Sequence, residues 1–431
     1  MSLELPFKSS ERLVRDTSAP NSAPLSHLML AQRDQYINTM GQLRFGKLLE
    51  DLDAFAGTIA YKHCDDLDAT TAPLTLVTAS CDRIEALGRL PPRDMLLVGA
   101  CTFVGSSSMN VDVELQPADL SESTDIATHS LDRSSVHAAA SSSGSAAADA
   151  ASVDPPATLL RASFTFVARH PVTNSAVPVP WLHPKTALEK QWYASGRGRQ
   201  AANKGARDDS LYRRLPSSGE LSLVHNMFIS QHAPRDGSSR RGAAAQLLSE
   251  DMPGDPAQSH GTAHTQDTEM STHYFTQPCD ANIHGKVFGG LLMRQAFELA
   301  FSTAWVFTAC KPEFFSLDNI TFQRPVELGT LLRSTARVEY TAHAVPEPAA
   351  KSDGHYVTVA VSTEVVNPEE GKQVVTNDFH FTFRFTQPVP RLLPQSYAEA
   401  MTWLEGHRRF KSGQDNANAR SASGGAVSAF V

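Results

Sequence analysis

Two adjacent glycines begin a nearly all-apolar stretch of the sequence. Gly289 and Gly290 open "GGLLMRQAFELAF", whose spacing of apolar residues predicts a helix. The N-terminus of a helix carries unpaired N–H groups and a partial positive charge, and glycine lets a ligand approach that backbone closely. The two glycines therefore predict either a site at which N–H groups polarise a bound carbonyl or a place where the helix packs closely on a sheet.

An asparagine stands eight residues before the second glycine, and this spacing occurs twice in the chain. Asn282 precedes Gly290 in "NIHGKVFGG", and Asn38 precedes Gly46 in "NTMGQLRFG". An asparagine amide can hold a water molecule or a carbonyl, although asparagine is also common in loops and at helix caps. The repeated spacing predicts that the chain contains two related blocks.

Each block contains a predicted helix followed by predicted strands. The helices are "KLLEDLDAFAGTIAYKH" and "LLMRQAFELAFSTAWVF", and an Asp-x-Ile motif follows each, at Asp82 and at Asp318. Alternation of apolar residues, as in "SFTFV" and "FHFTFRF", predicts strands with one buried face. The predicted strands are "MLLVGACTFVG", "MNVDVEL" and "ASFTFVAR" in the first block, and "LLRSTARVEYTA", "YVTVAVSTEVV" and "NDFHFTFRFT" in the second.

The two helices decide the fold class. A helix that is apolar on most sides must be enclosed, and a curved antiparallel sheet can enclose it. This is the hotdog arrangement. The predicted class is therefore α+β, with two fused hotdog domains, each a long apolar helix wrapped by a curved antiparallel sheet.

The composition separates two folded blocks from polar segments. We expect a first hotdog domain at 30–185 and a second at 271–410. Residues 137–152 are almost entirely Ala and Ser and cannot bury enough apolar surface to fold, so an insertion at about 117–157 is expected on the surface of the first domain. The other segments are expected to be a disordered N-terminus, a partly disordered linker and a disordered tail, at 1–29, 186–270 and 411–431.

The charge and the cysteine content argue against several classes of protein. The chain has 38 Lys and Arg against 46 Asp and Glu, a net charge of -8, which disfavours nucleic acid or an anionic membrane as the main partner. No apolar run reaches the roughly 18 to 20 residues that span a bilayer. The five cysteines form no CxxC pair, so neither a zinc site nor a disulfide framework is predicted, and a reducing compartment is expected.

Four stretches resemble a known family. They are "LRFGKLLEDLDAFAG", "NIHGKVFGGLLMRQAFELAF", "FQRPVELGTLL" and "YAEAMTWLEGHRRF", and together they cover both blocks. With them the chain resembles the acyl-coenzyme A thioesterases with two fused hotdog domains, most closely the mitochondrial thioesterase 9 type. The resemblance implies hydrolysis of fatty acyl-coenzyme A to free fatty acid and coenzyme A at a site between the domains. Such a site requires a carboxylate, one or two N–H groups and a slot for the acyl chain.

The resemblance also implies which residues form the site. Family members carry the acid seven residues after the second glycine, which is Asp53 in the first block and Phe297 in the second. One complete site is therefore expected, with Asp53 facing Asn282 and Gly290. The opposite pair, Asn38 with Phe297, is expected to be inactive or only to bind. Asp53 is expected to act as a general base on water or as a nucleophile that forms a mixed anhydride.

Two other acids are alternatives to this assignment. Asp51 is the substitute if the register of the helix differs, because at about 100° per residue Asp51 and Asp53 cannot both face one cleft. Glu298, the residue after Phe297, is the candidate that could restore an acid to the second position. Its alternative role is a structural polar contact.

Several residues are assigned to substrate binding. They include Gly289, Asn38 and Gly46 of the two loop motifs. Lys286 and Arg294 are candidates, by position, for holding the nucleotide phosphates of coenzyme A, with ordinary surface charge as the alternative.

The histidines are not expected to be catalytic. His284 lies inside the second loop motif, but that loop lacks the prolines of the hotdog dehydratases, so a loop side chain is the preferred interpretation. His63 and His380 lie in apolar surroundings and are interpreted as core histidines. No spacing in the sequence supports a metal site.

Three functions are considered, with the acyl-coenzyme A hydrolase first. The alternatives are a hotdog enoyl-coenzyme A hydratase or dehydratase and a non-catalytic acyl-coenzyme A-binding protein. No cofactor is expected, because coenzyme A is part of the substrate. The resemblance implies a homo-oligomer, a trimer of double-hotdog chains, and a mitochondrial location. The first 20 residues contain three acids, which transit peptides avoid, so a cytoplasmic location is the alternative.

Overall fold

A computed structural model describes the protein at residues 2–5, 35–38, 41–66, 68, 74–87, 90, 95–117, 158–171, 173–208, 211, 214–232, 261–318, 320–345 and 354–422. The helices of these residues are α1 (Phe45–Cys64), α2 (Ala187–Asp208), α3 (Ser218–His232), α4 (Gly289–Thr308) and α5 (Tyr397–Ala422). Within this part of the chain, no helix combines the length and apolar character that crossing a membrane requires.

Fourteen strands occur in the same residues. The first six are β1 (Ser2–Leu5), β2 (Thr75–Cys81), β3 (Ile84–Ala86), β4 (Met95–Val104), β5 (Ser108–Pro117) and β6 (Leu160–Arg169). The others are β7 (Thr262–His264), β8 (Met270–Phe275), β9 (Glu313–Leu317), β10 (Ile320–Thr321), β11 (Leu331–Val345), β12 (Gly354–Asn367), β13 (Lys372–Phe385) and β14 (Arg391–Leu393). Short 3-10 helices at Thr265–Thr268 and Pro278–Asp280 flank β8.

Twelve of these strands form one antiparallel sheet. Its order is β1-β4-β5-β6-β3-β9-β13-β12-β11-β8, and β2 pairs with both β6 and β10 beside this path. We call β1–β6 with α1 the first half and β8–β13 with α4 the second half. Strands β7 and β14 form a separate parallel pair.

The predicted strands are confirmed, and their alternation matches the burial of their side chains. In β13, Phe379, Phe381 and Phe383 are fully buried, whereas the residues between them are more exposed or polar. In β6, Phe164 and Phe166 are buried in the same way. Period-two alternation places these rings on the face of the sheet that covers the helices.

Helices α1 and α4 lie side by side on the concave face of the sheet. Both are buried along most of their length because apolar residues recur on nearly every side, including Leu48, Leu49, Leu52, Leu292, Met293 and Ala296. The predicted α+β architecture of two hotdog units, each with a long helix wrapped by an antiparallel sheet, is confirmed.

The helices cross at their glycines. A Cβ atom added to Gly46 would lie 3.1 Å from the Arg294 side chain, and one added to Gly290 would lie 2.8 Å from the Glu50 backbone. Each glycine therefore faces the residue four positions after the other glycine. This near-symmetry relates the two halves, and an Arg294–Glu50 ion pair of 3.1 Å bridges the crossing.

The two half-sheets join at the Asp-x-Ile motifs. Strand β3 pairs with β9 through Ile84 and Leu317, and β2 pairs with β10 through Cys81 and Ile320. All four side chains are fully buried. The sheet is therefore continuous across the join, and the two halves share one hydrophobic core.

The prediction of a disordered tail from residue 411 is wrong at its start, because α5 continues to Ala422. An apolar stripe that includes Trp403, Leu404 and Phe410 buries this helix against β11. Tyr340 of β11 receives the rings of Trp403 and Phe410 at 5.2 and 5.6 Å between centroids. The helix therefore continues because it covers a strand of the second half.

The segment 186–270, predicted as a partly disordered linker, contains α2, α3, β7 and a 3-10 helix. Helix α2 lies on β4, where Gly196 fits closely against Phe103, and Arg199 pairs with Asp112 of β5. At the N-terminus, Ser2–Leu5 pairs with β4 as β1. The remaining parts of the predicted polar segments, at 6–29, 118–157, 233–260 and 423–431, lie outside the described residues.

Candidate active site

Asp53 is a buried carboxylate at the contact between the two halves. It projects from α1, and its side chain is almost fully enclosed, at 3% exposure. Thr78 of β2 donates its hydroxyl hydrogen to Oδ1 of Asp53 at 3.1 Å. The backbone N–H of Gly290 donates to the same carboxylate. An acid of the first half therefore contacts the N-terminus of the helix of the second half.

The surroundings of Asp53 change its acidity in two opposing ways. Burial is the largest effect and raises the pKa of Asp53, which lies at about 6, above the ordinary 3.8, when all effects act together. The hydrogen bonds from Thr78 and Gly290 act in the opposite direction because they stabilise the charged form. The result is a carboxyl group that is ionised at neutral pH yet basic enough to accept a proton from water.

The N-terminus of α4 has no side-chain cap of its own. Phe288 is the N-cap residue and makes no side-chain hydrogen bond to the helix. A Cβ atom added to Gly289 would lie 3.1 Å from Oδ2 of Asp53 and 3.4 Å from the Phe322 ring, so glycine allows the carboxylate to approach the helix backbone closely. The partial positive charge of the helix tip consequently acts directly on the carboxylate.

The asparagine loop has a defined internal structure. Oδ1 of Asn282 accepts hydrogen bonds from the backbone N–H groups of His284, at 2.9 Å, and Lys286, at 3.1 Å. Gly285 has φ +69°, a conformation that favours glycine. The carbonyl of the amide therefore orders the loop, as the alternative interpretation of Asn282 predicted, and the Nδ2 amino group is the part left for another partner.

The loop contacts the first half through His284. Its Nε2 lies 2.5 Å from the hydroxyl of Tyr61, two turns beyond Asp53 on α1. The loop of Asn282, the tip of α4 and the acid of α1 are thus arranged along one side of α1. Among the described residues, no hydrogen bond joins Asn282 directly to Asp53.

The equivalent position in the other half is filled with aromatic rings. Phe297 stands where the repeat places Asp53, and Phe45 stands where it places Gly289. Phe314 precedes Asp318 by four residues, as Thr78 precedes Asp82, so it is the counterpart of Thr78. Ring centroids of Phe45 lie 5.1 Å from Phe297 and 3.7 Å from Phe314.

This aromatic cluster contains no group that could accept a proton. Phe297 also contacts Phe301, Phe381 and Phe383, at 6.0, 5.7 and 5.9 Å between centroids. Glu298, the candidate for restoring an acid, is half-exposed and pairs with Arg294 and Arg44 instead. The carboxylate environment of Asp53 is therefore not reproduced at Phe297.

The other predicted site residues have partners of their own. Lys286 pairs with Glu327, and Arg294 pairs with Glu50 and Glu298, so both cations already contact carboxylates. Asp51 pairs with Lys47 at 3.4 Å, so the helix register selects Asp53 for the contact with α4.

In the first half, Asn38 and Gly46 stabilise local structure. Oδ1 of Asn38 accepts a hydrogen bond from the backbone of Gln42 at 2.9 Å, the bond that corresponds to Asn282 with Lys286. Gly46 lies against Arg294 and Phe297 at the helix crossing.

His63 and His380, interpreted from the sequence as core histidines, are only partly buried and bind polar partners. His63 lies 3.0 Å from the carbonyl of Pro180. His380 pairs with the buried carboxylate of Glu339, which Arg409 also contacts, and these two partners hold the pKa of Glu339 below its usual value despite burial. In the part of the chain that is described, no group of His, Cys, Asp and Glu could hold a metal ion.

Two site residues were missed by sequence reasoning. Thr78 could have been found by aligning the two Asp-x-Ile motifs, which pair it with Phe314. Tyr61 had no such signal, because its partner His284 lies 223 residues away along the chain.

Comparisons with known proteins decide the family. The chain is 36% identical over 352 residues to the chloroplastic acyl-coenzyme A thioesterase 2 of Humulus lupulus, covering 81% of this chain and 68% of that protein. It is 30% identical over 386 residues to the mitochondrial acyl-coenzyme A thioesterase 9 of Bos taurus, covering 88% and 74%. The chain belongs to the acyl-coenzyme A thioesterase family. No protein-family model matches this thioesterase.

Family membership confirms the predicted thioester hydrolase in preference to the hydratase and to the non-catalytic binding protein. Among solved structures, a putative oleoyl thioesterase from Lactobacillus plantarum aligns with a TM-score of 0.40 and 11% identity, over 83% of this chain and 93% of that one. The named relatives of this thioesterase include both mitochondrial and chloroplastic proteins.

Proposed function

We propose that this thioesterase hydrolyses fatty acyl-coenzyme A to free fatty acid and coenzyme A at one centre, formed by Asp53 and the N-terminus of α4. The observation that supports this most strongly is the buried carboxylate of one half held by the backbone N–H of Gly290 from the other half. Its pKa of about 6 makes it a charged base at neutral pH.

Asp53 starts the reaction in either of two ways. As a general base, it takes a proton from water while the water oxygen attacks the thioester carbonyl. As a nucleophile, one of its own oxygens attacks and forms a mixed anhydride, which water then hydrolyses. Both routes expel a coenzyme A thiolate, which leaves readily because thiol pKa values are roughly 8.5.

The helix tip and the loop stabilise the reacting carbonyl. Charge that develops on the carbonyl oxygen is favoured next to the partial positive charge of the helix N-terminus at Gly289 and Gly290. The Nδ2 group of Asn282 is the amide donor proposed to hold the water or the carbonyl. The reaction needs no cofactor, because coenzyme A enters as part of the substrate.

Two cations are the candidates for binding the phosphates of coenzyme A. Lys286 lies in the loop and Arg294 lies at the helix crossing, and each pairs with acids of the protein itself. If they hold phosphates, the phosphates must displace Glu327 or Glu50 from these pairs. Neutralising Lys286 is therefore expected to raise KM for acyl-coenzyme A while leaving kcat within about twofold.

A mitochondrial location and a trimer of double-hotdog chains complete the proposal. Both rest on the resemblance to the thioesterase 9 type. A fluorescent protein fused after residue 30 tests the first, and the mass of the purified chain in solution tests the second.

Release of free thiol from a series of acyl-coenzyme A substrates tests the proposed function. Purified protein is expected to release thiol from at least one saturated chain length and to leave the ultraviolet absorbance of an enoyl-coenzyme A double bond unchanged. Absorbance loss without thiol release would favour a hydratase, and binding without either change would favour a non-catalytic protein.

A further inference from the structure

Tyr61 and His284 form a contact between the two halves that the proposed hydrolysis does not itself use. Tyr61 projects from α1, and His284 lies in the loop that contains Asn282. Nε2 of His284 lies 2.5 Å from the Tyr61 hydroxyl. The same hydroxyl accepts a hydrogen bond from the backbone N–H of Leu76 in β2 at 3.1 Å. Three elements therefore meet at one oxygen atom.

The distances around the Tyr61 hydroxyl indicate where its hydrogen points. The Tyr61 hydroxyl accepts from Leu76 and has one hydrogen of its own to donate. The Leu76 carbonyl lies 3.4 Å away and His284 Nε2 lies 2.5 Å away, so the nearer Nε2 is the favoured acceptor of that hydrogen when the imidazole is neutral. The ring proton of His284 then lies on Nδ1. Burial is the largest effect on His284 and lowers its pKa, while a hydrogen bond with the Leu76 backbone acts in the opposite direction. The pKa remains lowered, which favours the neutral form.

The contact fixes the loop that presents Asn282. Oδ1 of Asn282 binds the backbone N–H of His284, so the side chain of His284 and the amide of Asn282 belong to one rigid turn. Strand β2 supplies both Leu76, which holds Tyr61, and Thr78, which holds Asp53. The same strand therefore positions both the Asn282 loop and the Asp53 carboxylate.

The repeat shows that this pair accompanies the intact centre only. The counterparts of Tyr61 and His284 in the other half are Trp305 and Met40. Neither can reproduce the hydroxyl-to-imidazole hydrogen bond. The polar pair is thus present beside Asp53 and absent beside Phe297, where the acid is also missing.

We propose that Tyr61 and His284 are positioning residues that hold the Asn282 loop in the geometry required for thioester hydrolysis. The proposal rests on the proposed function of the Asp53 centre. Protonation of His284 turns Nε2 into a donor, so the Tyr61 hydrogen must turn to the Leu76 carbonyl at 3.4 Å and the contact is weaker in acid. The titratable side chain facing His284 from α1 is Tyr61, β2 faces it with the backbone of Leu76, and in its own loop Lys286 is paired with Glu327.

Matched substitutions test the hydrogen bond without changing side-chain size greatly. Tyr61→Phe and His284→Leu each remove it, and kcat is expected to fall about five- to tenfold with KM changed less than about twofold. His284→Gln retains an acceptor and is expected to keep more than half of wild-type kcat. The double variant Tyr61→Phe/His284→Leu is expected to be no slower than either single variant, because both remove one interaction. Trp305→Phe, at the counterpart position, is the control.

The pH profile separates positioning from simple structural support. Wild-type activity requires ionised Asp53 and is highest with neutral His284. Log kcat/KM is therefore expected to fall more steeply than a slope of one where His284 titrates, by up to about tenfold in total, and to return to a slope of one below that range. In His284→Gln the slope is expected to be one. His63→Gln, two residues from Tyr61, is expected to keep the wild-type slope. A His284→Gln profile that keeps the steeper wild-type fall, or Tyr61→Phe activity within twofold of wild type, overturns the proposal.

A measurement independent of turnover keeps this proposal distinct from the proposed function. Hydrogen exchange of the backbone amides of His284 and Lys286, both bound to Asn282, is expected to accelerate at least about fivefold in Tyr61→Phe. Unchanged exchange would show that the pair does not hold the loop. If the wild-type protein releases no thiol, the proposed function is wrong. The exchange result still decides whether Tyr61 and His284 hold the loop.

Discussion

Asp53 combines two properties that usually exclude each other, a charge at neutral pH and nearly complete burial. An isolated buried carboxylate would remain protonated, because transfer of the charge from water is unfavourable. Thr78 and the Gly290 N–H supply part of the lost hydration, so the pKa of Asp53 rises only to about 6. At the counterpart position of the other half, Phe297 is an apolar ring, and no charge is buried there.

The activity of the enzyme is expected to follow the ionisation of Asp53. Since the pKa of Asp53 is about 6, kcat/KM should rise with pH and level off above roughly pH 7. Thr78→Val removes a hydrogen bond to the charged form, so the midpoint should move to higher pH and kcat/KM at pH 6 should fall about two- to tenfold. Steady-state thiol release between pH 5 and 9 checks both. An unchanged midpoint in Thr78→Val would contradict the role of its hydroxyl.

Replacing Asp53 should stabilise the protein at neutral pH. The folded-state pKa of Asp53 lies above the ordinary 3.8. Its ionisation therefore leaves the free energy of unfolding unchanged below pH 3.8, lowers it increasingly as the pH rises to about 6, and lowers it by the full amount above that pH. That full amount is about 3 kcal/mol. Asp53→Asn should therefore raise Tm by a few degrees at pH 7.5 and by almost nothing at pH 4.

Thermal unfolding at the two pH values measures this effect. Glu298→Gln, a neutralised acid on the exposed side of α4, should show no comparable gain. Equal gains for Asp53→Asn at both pH values would mean that the charge of Asp53 is not the source of the destabilisation.

At the scale of elements, the crossing of α1 and α4 decides whether the acid reaches the helix tip. A Cβ at Gly290 would meet the Glu50 backbone at 2.8 Å, whereas one at Gly46 would meet the flexible Arg294 side chain at 3.1 Å. The backbone contact can be relieved only by moving one helix away from the other, and the side-chain contact can be relieved by a change of rotamer.

Gly290→Ala should therefore separate the helices and withdraw the N–H from Asp53. We expect about a hundredfold loss of kcat/KM and a loss of stability of about 1–3 kcal/mol, as for overpacked cores. Gly46→Ala is the matched variant and should retain activity within about threefold. Thiol release and thermal unfolding of both variants check this. Similar losses in the two variants would contradict the asymmetry of the crossing.

The elements were largely predictable, and the site only partly. Apolar periodicity predicted α1, α4 and the six long strands, because burial on regular faces leaves a period in the sequence. The same reasoning failed for α5, whose polar C-terminal part obscured the stripe formed by Trp403, Leu404 and Phe410. Asp53 could be assigned only by resemblance to a family, since one acid in a helix gives no period. The contact of Tyr61 with His284 depends on how the halves join, which no local pattern encodes.

At the scale of the whole molecule, the two halves form one folding unit around the site. Strands β3 and β9 and strands β2 and β10 join the half-sheets through fully buried side chains. Beside this join, Arg83 of the first half binds Asp318 and Ser316 of the second half at 2.6 and 2.9 Å. Separating the halves would expose this surface and break a buried ion pair, which is strongly destabilising.

Unfolding should therefore be cooperative across the two halves. Trp192 lies in α2, which packs on the first half, and Trp403 lies in α5, which packs on the second. In each of two variants that retain one of these tryptophans, the midpoint from fluorescence in denaturant should agree within error with the midpoint from circular dichroism of the same variant. Arg83→Met should lower both midpoints together. Two separated transitions would mean that the halves fold independently and that their contact at Asp53 is weak.

The central claim is that the acid of the first half, held at the helix tip of the second half, is the only reacting carboxylate. The most direct measurement is the rate of thiol release from a good acyl-coenzyme A substrate by Asp53→Asn and by Phe297→Leu. These positions are counterparts in the two helices. We predict that Asp53→Asn lowers kcat by about a thousandfold or more while substrate still binds, and that Phe297→Leu stays within about fivefold of wild type. Asp53→Asn with more than a tenth of wild-type activity would contradict the account.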